Sequence, residues 1–429
     1  MIPRDIDTSA DDKWSRSYAD VAAESPCGRL MRQYWHPVML STELPTRSIR
    51  RLLLLGERFV IFRLETKEIG VLAEQCPHRL ASLVQGFLEP DGIRCCYHGW
   101  KFSPRGKLLD APFGAPIGRS LSEGATTAGE ATECGGIIFV RLDASDQGAP
   151  LPHWDILTEG DWEIVVQRHE VDCNWLQYQE NAADLTHTLF LHGAWLRRIG
   201  IPDASGFYSE LNWYGFQFMR FGLVKAWKYE NRAVGWGNLA IFPNILRIEQ
   251  EMHWRVPLSS ERTLIFQVST RPLLPRASGV KNDGVSDSPL PAREGEPIPL
   301  QPARQGADLP PYSPWSFQGQ DAFACASQGR IVDRRLEHTA PSDLGLLTYR
   351  KRWQDLCDEQ ATPSSVYDEL INELGHLDPR PWMGVGDIAV SRPLDRRPFG
   401  KRLAWREIFT PETRVISVPR GTASKGPLG

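Results

Sequence analysis

Two short segments of the chain bring thiols and imidazoles together at spacings suited to metal binding. Cys76 and His78 form a C-x-H pair, and Cys95 and His98 form a C-x-x-H pair after an intervening stretch of 16 residues. Each segment therefore offers one thiolate and one imidazole. Two cysteines on one iron and two histidines on the other are the ligands of a Rieske-type [2Fe–2S] cluster, in which neutral imidazoles raise the reduction potential. We predict that these four side chains hold such a cluster.

Simpler interpretations apply to each segment taken alone, because a lone C-x-H or C-x-x-H is more often a buried thiol beside an unrelated histidine. A structural zinc site can also use two cysteines and two histidines, but its usual order pairs like with like along the chain. In the stretch CCYHGWKF, the C-x-x-H spacing makes Cys95 the ligand and Cys96 a spacer. Tyr97 and Trp100 would then shield the cluster.

A second group of residues that could do chemistry lies in the segment ENAADLTHTLFLH. Asn181, Asp184, His187 and His192 follow the pattern N-x-x-D-x-x-H-x-x-x-x-H. Two histidines and one carboxylate with open coordination positions form the facial triad of non-haem Fe(II) oxygenases. Residues five apart on a regular helix differ by about 140°, so co-ligation by both histidines requires a helix end or a local distortion. Several carboxylates of the chain could complete the triad.

The elements that must position these residues indicate an α+β fold with antiparallel sheets. Three short β-rich runs follow Arg50, and the run GGIIFVRLD closes a β domain around the first group of residues. We predict three regions: an N-terminal helical segment (1–34) that is interrupted at Pro26 and packs on the core, the β domain (35–147), and a larger domain (148–429). Residues 272–314 are rich in Pro, Gly and Ser, which predicts a lid or an insertion.

Within the larger domain, NWLQYQENAADLTHTLFLH predicts a helix and RTLIFQVSTRP predicts a strand. The segment NILRIEQEMHWRVP predicts one alternating strand, with an apolar face of Leu246, Ile248, Met252, Trp254 and Val256 and a polar face of Arg247, Glu249, Glu251, His253 and Arg255. Residues 321–335 and 342–359 have helical patterns. The last residues, GTASKGPLG, predict a frayed tail.

Composition excludes several classes of protein. The 429 residues exceed what one hydrophobic core usually supports, and 41% hydrophobic residues are typical of a globular chain. A net charge of −4 without a basic run argues against a nucleic-acid partner. The longest aliphatic run, Leu52 to Leu55, is too short to span a membrane, and the polar N-terminus lacks a signal sequence. We expect a cytoplasmic protein whose eight cysteines are reduced.

The motifs of the first group resemble those of a known family. CPHR at Cys76, followed by CCYHGWKF and a trailing Gly106, resembles the Rieske domain of the Rieske non-haem iron oxygenases. GRLMRQYWHPVMLSTELP and SQGRIVDRRLEH are similar to oxygenase components of the phthalate 4,5-dioxygenase type, a group that also contains ring hydroxylases and O- or N-demethylases. The resemblance covers most of the chain. It implies an N-terminal antiparallel β Rieske [2Fe–2S] domain and a C-terminal catalytic domain of the helix-grip (START-like) type.

The resemblance also implies roles for individual residues. It makes Asp321 the carboxylate ligand beside His187 and His192, at a position where we expect a helix to open; Asp333 and Glu337 are the alternatives. Asp184 would bridge a Rieske histidine of one subunit to an iron-binding histidine of its neighbour, which implies a homotrimeric ring. Asn181 would lie close to the iron. The remaining histidines are interpreted as structural or surface residues: His36, His153, His169, His253, His338 and His376.

The expected function is that of a terminal oxygenase component, with a Rieske cluster and a mononuclear Fe(II) as cofactors. No G-x-G-x-x-G motif follows a strand, so electrons must come from a separate NAD(P)H-dependent reductase. With these electrons and O2 the protein would hydroxylate, dihydroxylate or oxidatively demethylate a small aromatic substrate. Two alternatives stay open at this stage: a Rieske electron-transfer protein without oxygenase activity, and a helix-grip binding protein that has lost its iron.

Overall fold

The computed structural model describes residues 14, 17–114, 126, 128–143, 151–152, 154–158, 162–194, 197, 211–229, 234–248, 250–272, 317–367, 384–385 and 414–416. These residues form three antiparallel sheets and several short helices, which confirms the predicted α+β fold. The predicted boundary near residue 147, nearly all of the segment 272–314, His153, His376 and the C-terminal tail lie outside the described residues. No helix in the described ranges is long and apolar enough to cross a membrane.

The N-terminal part contains a six-stranded sheet in the order β1-β10-β9-β4-β3-β2. Its strands are β1 (His36–Leu40), β2 (Ser48–Leu54), β3 (Glu57–Arg63), β4 (Ile69–Ala73), β9 (Ala128–Cys134) and β10 (Ile137–Arg141). β2, β3 and β4 confirm the three predicted β-rich runs, and β10 confirms the predicted closing strand. A smaller sheet of β5 (Phe87–Glu89), β6 (Gly92–Arg94), β7 (Lys101–Phe102) and β8 (Leu108–Asp110) carries the Cys and His loops.

The C-terminal part is built on a nine-stranded sheet in the order β11-β17-β16-β15-β14-β13-β12-β19, with β18 paired to β14. Its strands are β11 (Trp162–Val171), β12 (Leu211–Met219), β13 (Gly222–Tyr229), β14 (Val234–Ile241), β15 (Ile245–Ile248), β16 (Glu251–Ser259), β17 (Arg262–Pro272), β18 (Gly384–Val385) and β19 (Arg414–Ile416). β17 confirms the strand predicted from RTLIFQVSTRP.

The prediction of one strand through NILRIEQEMHWRVP is wrong. β15 and β16 form a hairpin in which Ile248 pairs with Glu251 and Leu246 pairs with His253. Paired residues of a hairpin share a face, so Leu246 lies with His253 and not with Met252. Three members of the predicted polar face are buried, namely Arg247, His253 and Arg255. Arg247 binds Asp155 through two hydrogen bonds of 3.1 and 3.0 Å.

The helices are α1 (Pro26–Met31), α2 (Asp155–Thr158), α3 (Trp175–Ala183), a π-helix (Thr188–Ala194), α4 (Phe317–Ser327), α5 (Leu344–Glu359) and α6 (Pro363–Val366). The predicted interruption is present, since residues 19–25 are not helical and separate the helical residues 17–18 from α1. Pro26 begins α1, because Ser25 caps the N-terminus and proline fits the first turn. The helix predicted for 321–335 is also misplaced, since α4 begins at Phe317 and ends at Ser327. α5 confirms the helix predicted for 342–359.

One continuous hydrophobic core joins the two parts of the molecule. Phe139 of β10 packs edge-on against Trp254 of β16, with ring centroids 5.9 Å apart. The backbone N–H of Leu55, after β2, donates to the carbonyl of Pro257 in β16 over 2.9 Å. The N-terminal segment joins the same core, and the indole N–H of Trp353 in α5 donates to the Tyr18 carbonyl over 2.7 Å. The N-terminal part therefore packs directly against the large sheet at β16.

Candidate metal centres

Two loops beside the small sheet hold the predicted cluster ligands. The N–H of Cys76 donates to the Ala81 carbonyl over 2.8 Å, and the N–H of Cys95 donates to the Trp100 carbonyl over 2.8 Å. The second loop turns at Gly99, whose φ of 75° is readily adopted by glycine. Each loop is thus closed by its own backbone and presents one cysteine and one histidine.

The side chains of these loops divide into a buried and an outer pair. Cys76 and Cys95 are 1% and 3% exposed, and the rings of His78 and His98 meet edge-on with centroids 4.5 Å apart. Burial, together with the neighbouring Cys95 thiol, raises the pKa of Cys76 to about 12. A bound cation would favour the thiolates that such an environment otherwise disfavours. The donor set of two thiols and two imidazoles fits a Rieske cluster.

The neighbours of these four residues match their predicted roles in part. Cys96 is exposed, in contrast to Cys95. Trp100 stacks on the His78 ring at 4.7 Å with an interplanar angle of 7°. Tyr97 packs on His98 at 3.8 Å but leaves 54% of its surface exposed. Trp100 therefore shields one imidazole, whereas Tyr97 also contributes to an open surface.

The second candidate site depends on the end of α3. The helix stops at Asp184, which has extended backbone angles (φ −89°, ψ 148°). Its carboxylate accepts hydrogen bonds from the Thr186 N–H at 2.8 Å and the His187 N–H at 3.1 Å, and Oδ2 lies 2.9 Å from His187 Nδ1. Lys225 of β13 donates from Nζ to the Asp184 carbonyl over 3.0 Å. These contacts fix the turn that directs the His187 ring.

The chain then continues into the π-helix, which carries His192. Co-ligation by His187 and His192 required a helix end or a local distortion, and the structure has a helix that ends before His187 and a π-helix that carries His192. π-helical turns are rare and are often found at functional sites. The two imidazoles meet edge-on with centroids 5.3 Å apart.

Asp321 of α4 completes a group of three donors. Its Oδ1 lies 3.3 Å from His192 Nε2 and 3.8 Å from His187 Nε2, and the three donor atoms lie within 4.8 Å of one another. Among the described residues no other group of three His, Cys, Asp or Glu side chains is assembled in this way. Asn181 donates from Nδ2 to Asp321 Oδ1 over 3.3 Å. Two imidazoles and one carboxylate suit a non-haem iron.

The alternative carboxylates are engaged elsewhere. Asp333 caps a 3₁₀ turn and pairs with Arg335 at 2.6 Å, and Glu337 pairs with Arg350 at 2.6 Å. Asp321 was predicted to open a helix, but it lies in the second turn of α4. Burial opposes ionisation of Asp321, but hydrogen bonding and the charge of His192 outweigh it and hold the pKa of Asp321 below its usual range. The same carboxylate raises the pKa of His192 against the effect of burial.

Sequence reasoning missed a set of buried basic groups near this site. Arg255 is 2% exposed, stacks over the Tyr178 ring at 5.6 Å, and has no partner for Nε among the described residues. Lys225 is 4% exposed, and burial lowers its pKa to about 8. Burial also lowers the pKa of His169 to about 4 and that of His253 below its usual value.

All four groups lie within electrostatic reach of Asp321. The sequence feature that could have revealed two of these groups was the alternation that put His253 and Arg255 on one face. That face was predicted to be polar, and in the structure both of these side chains are buried.

Comparison with known proteins agrees with this geometry. Residues 34–123 match the family model of the Rieske [2Fe-2S] domain. The chain is 30% identical over 349 residues to the oxygenase subunit of 5,5'-dehydrodivanillate O-demethylase from Sphingobium sp. (strain NBRC 103272 / SYK-6), a match that covers 78% of this chain and 77% of that protein. The chain belongs to the Rieske non-haem iron oxygenases.

Two further comparisons show a partial similarity in sequence and a shared fold. The chain is 38% identical over 184 residues to the oxygenase subunit of 3-chlorobenzoate-3,4-dioxygenase from Comamonas testosteroni, covering 43% of each protein. The oxygenase and ferredoxin complex of carbazole 1,9a-dioxygenase has the same fold, with a TM-score of 0.54, 18% identity, and coverage of 83% of this chain and 97% of that one.

Family membership decides between an oxygenase component and an electron-transfer protein without oxygenase activity. The protein is an oxygenase component rather than a stand-alone electron carrier, and its cofactors are a Rieske [2Fe–2S] cluster and a mononuclear iron. Oxygenases of this family receive electrons from a separate protein, so this one requires an electron-transfer partner.

Proposed function

We propose that this oxygenase uses His187, His192 and Asp321 to hold its mononuclear iron and Cys76, His78, Cys95 and His98 to hold its cluster. The observation that carries this proposal is the group of three donors within 4.8 Å in a chain that also contains a Rieske domain. When bound, the cluster supplies single electrons and the iron activates O2. The outcome is the insertion of one or both oxygen atoms into a substrate, or its oxidative demethylation.

The protein groups around the iron have separate tasks in this proposal. Asp184 accepts the hydrogen bond of His187 Nδ1–H and so leaves Nε2 for the metal. Asn181 donates to Asp321 Oδ1 and limits the rotation of that carboxylate. Both residues are carried by the last turn and C-cap of α3, so the end of this helix orients two of the three ligands.

We assign to Asp184 the further role of a bridge between subunits. Its side chain is 23% exposed, which leaves it reachable from outside the chain. The Rieske loops in turn present exposed side chains, since Leu80 and Tyr97 are 64% and 54% exposed next to His78 and His98. Contact between the Rieske loops of one subunit and Asp184 of its neighbour suits a homotrimeric ring. Mass photometry of the cluster-loaded protein tests the trimer, and a monomer at working concentration would argue against the bridge.

The substrate in this proposal is a small aromatic carboxylate. Lys225 and Arg255 balance the charges of Asp184 and Asp321, so a divalent iron leaves the buried site with excess positive charge. Buried charge is costly unless it is paired, and an anionic substrate would offset the excess. The relatives named for 5,5'-dehydrodivanillate and 3-chlorobenzoate act on carboxylates. Turnover of substituted benzoates beside the matching benzamides tests this class, and equal turnover of the amides would contradict it.

Electrons reach the oxygenase, in our proposal, from an NAD(P)H-dependent reductase. The sequence offers no dinucleotide-binding motif of its own. Reduction of the cluster by NADH alone, without an added reductase, would contradict this part of the proposal. The change is visible in the absorption spectrum of the cluster.

The ligand assignment is tested by iron and acid-labile sulfide per chain on anaerobically purified protein. We expect about three irons and two sulfides in the wild type and in Cys96→Ser. Cys95→Ser should lose the cluster, whereas Asp321→Ala should lose mainly the mononuclear iron. Cys96→Ser is the matched control, because it removes the adjacent thiol. A wild type that retains only about two irons after reconstitution with Fe(II) would contradict the mononuclear site.

A further inference from the structure

The ring of His192 is held on the side opposite the metal-facing nitrogen. Its Nδ1 lies 2.6 Å from Oε1 of Gln320, and both side chains are buried, with Gln320 fully enclosed and His192 5% exposed. An amide oxygen only accepts hydrogen bonds, so this contact requires the proton of His192 to be on Nδ1. The lone pair of a neutral His192 is then on Nε2, which is the atom that faces Asp321 at 3.3 Å.

The two imidazoles of the site therefore have different partners. His187 Nδ1 lies 2.9 Å from the carboxylate of Asp184, whereas His192 Nδ1 contacts a neutral amide. Ligand histidines usually donate their second N–H to a carboxylate, a backbone carbonyl or water. An amide orients the ring equally well but adds no second buried charge beside the metal.

The helix that supplies the carboxylate ligand also supplies this orienting group. Gln320 and Asp321 are consecutive in α4, and the ring of Phe317, one turn earlier, meets the His192 ring at 4.8 Å and 63°. Three residues of one helix thus contact His192 at Nδ1, at Nε2 and on the ring. α4 acts as a single unit that sets the position of His192 relative to Asp321.

We propose that Gln320 is a positioning residue that fixes the tautomer and orientation of His192 for metal binding. This inference rests on the proposed ligand roles of His192 and Asp321. Gln320→Leu removes the acceptor at Nδ1 that orients the His192 ring. Loss of such an outer partner typically weakens metal binding about 10- to 100-fold. Gln320→Glu keeps an acceptor at the same reach and should bind metal with an affinity close to that of the wild type.

The test is a titration with Co(II) of protein from which a chelator has removed the mononuclear metal while the Rieske cluster remains. Variants Gln320→Leu and Gln320→Glu are compared with the wild type and with Gln328→Leu, a control in which an exposed glutamine just after α4 is changed in the same way. The Rieske absorption spectrum and the thermal midpoint report the fold of each variant. We expect weaker binding in Gln320→Leu, and wild-type binding in Gln320→Glu and Gln328→Leu.

The outcomes separate this inference from the assignment on which it rests. Wild-type affinity in Gln320→Leu would overturn the positioning role. Equal weakening of Co(II) binding in both Gln320 variants, with lower thermal midpoints, would also overturn the positioning role. It would show that Gln320 acts through packing, which a hydrogen-bond acceptor in Gln320→Glu does not restore. His192→Ala serves as the reference for the site itself: if it binds Co(II) as tightly as the wild type, the proposed ligand set is what fails.

Discussion

Glu180 is the centre of a buried ion cluster that holds α3 in place. Its carboxylate accepts hydrogen bonds from Arg350 at 2.7 and 2.8 Å and from Arg334 at 2.9 Å. The three side chains are 6%, 12% and 9% exposed. Because Glu180 precedes Asn181 directly, the cluster ties the metal-binding end of α3 to α5 and to the 3₁₀ turn at residues 334–336.

We predict that Glu180→Ala lowers the free energy of unfolding by about 3 to 5 kcal/mol, the cost of leaving a buried charge unpaired. The cost falls mainly on Arg334. Arg350 keeps its second partner, Glu337, whereas Nε and Nη1 of Arg334 have no hydrogen-bond partner within the described part of the chain. For the roughly 280 residues of the predicted larger domain, the expected fall in thermal midpoint is roughly 5 to 8 °C.

The assay is thermal unfolding followed by circular dichroism, with the Rieske absorption recorded in parallel. Lys351→Ala is the matched control, because Lys351 pairs with Asp355 on the surface of α5 and is 64% exposed. Exposed pairs of this kind contribute less than about 1 kcal/mol. In the Glu180→Ala background, the further change Arg334→Met should restore part of the loss, since it removes the stranded charge.

Two results would refute this reasoning. If Glu180→Ala lowers the midpoint no more than Lys351→Ala does, the buried cluster does not stabilise the fold. If Arg334→Met deepens the loss in the Glu180→Ala background, the cost does not arise from an unpaired arginine.

Three further changes test other parts of the molecule. Asp184→Asn should weaken Co(II) binding about 10- to 100-fold, since an amide cannot accept all four hydrogen bonds of the carboxylate, and unchanged affinity in a chelator competition would refute this. Burial lowers the pKa of His36 to about 4 in the folded chain, below the value of about 6.5 when unfolded. Between these two values the unfolded state therefore binds more protons than the folded state. The part of the free energy of unfolding that depends on a neutral His36 is complete above pH 6.5 and is lost as the pH falls. Between pH 7 and 5 the wild type should lose about 2 kcal/mol that His36→Phe does not lose, and equal thermal shifts in both proteins would count against this. Gly106→Ala should lower the temperature at which the Rieske absorption bleaches, and by more than Gly114→Ala does. Both glycines have positive φ, 78° and 103°. Only at Gly106, however, would a Cβ atom lie 2.3 Å from the Thr126 carbonyl oxygen. Equal bleaching temperatures would show that this close contact is relieved at no cost.

The sequence alone was sufficient for features that depend on residue type and short spacing. The Cys and His pairs at residues 76–78 and 95–98 indicated a Rieske domain, because few other sites alternate thiol and imidazole in this order. The strands β2, β3 and β4 were also predictable, since β-rich runs between turn residues leave little other choice.

Periodicity failed where local patterns are ambiguous. The sequence between the paired residues Ile248 and Glu251 contains no glycine or proline, so the alternation continued unbroken through a hairpin. The same pattern placed Arg255 on a polar face, but polarity does not reveal whether a face meets water or a buried site. Only the packing of α3, whose Tyr178 stacks on Arg255, distinguishes the two.

The motif around Asp184, His187 and His192 determined which residues could bind iron, but not how. Five-residue spacing is unsuitable on a regular helix, and the structure resolves this with a helix end and a π-helix. The contacts of Asp321 with Asn181 and of Gln320 with His192 join residues 140 and 128 positions apart. No local pattern encodes such contacts. They exist because α4 packs against both α3 and the π-helix, so only the tertiary structure decides which carboxylate meets the histidines and which amide holds His192.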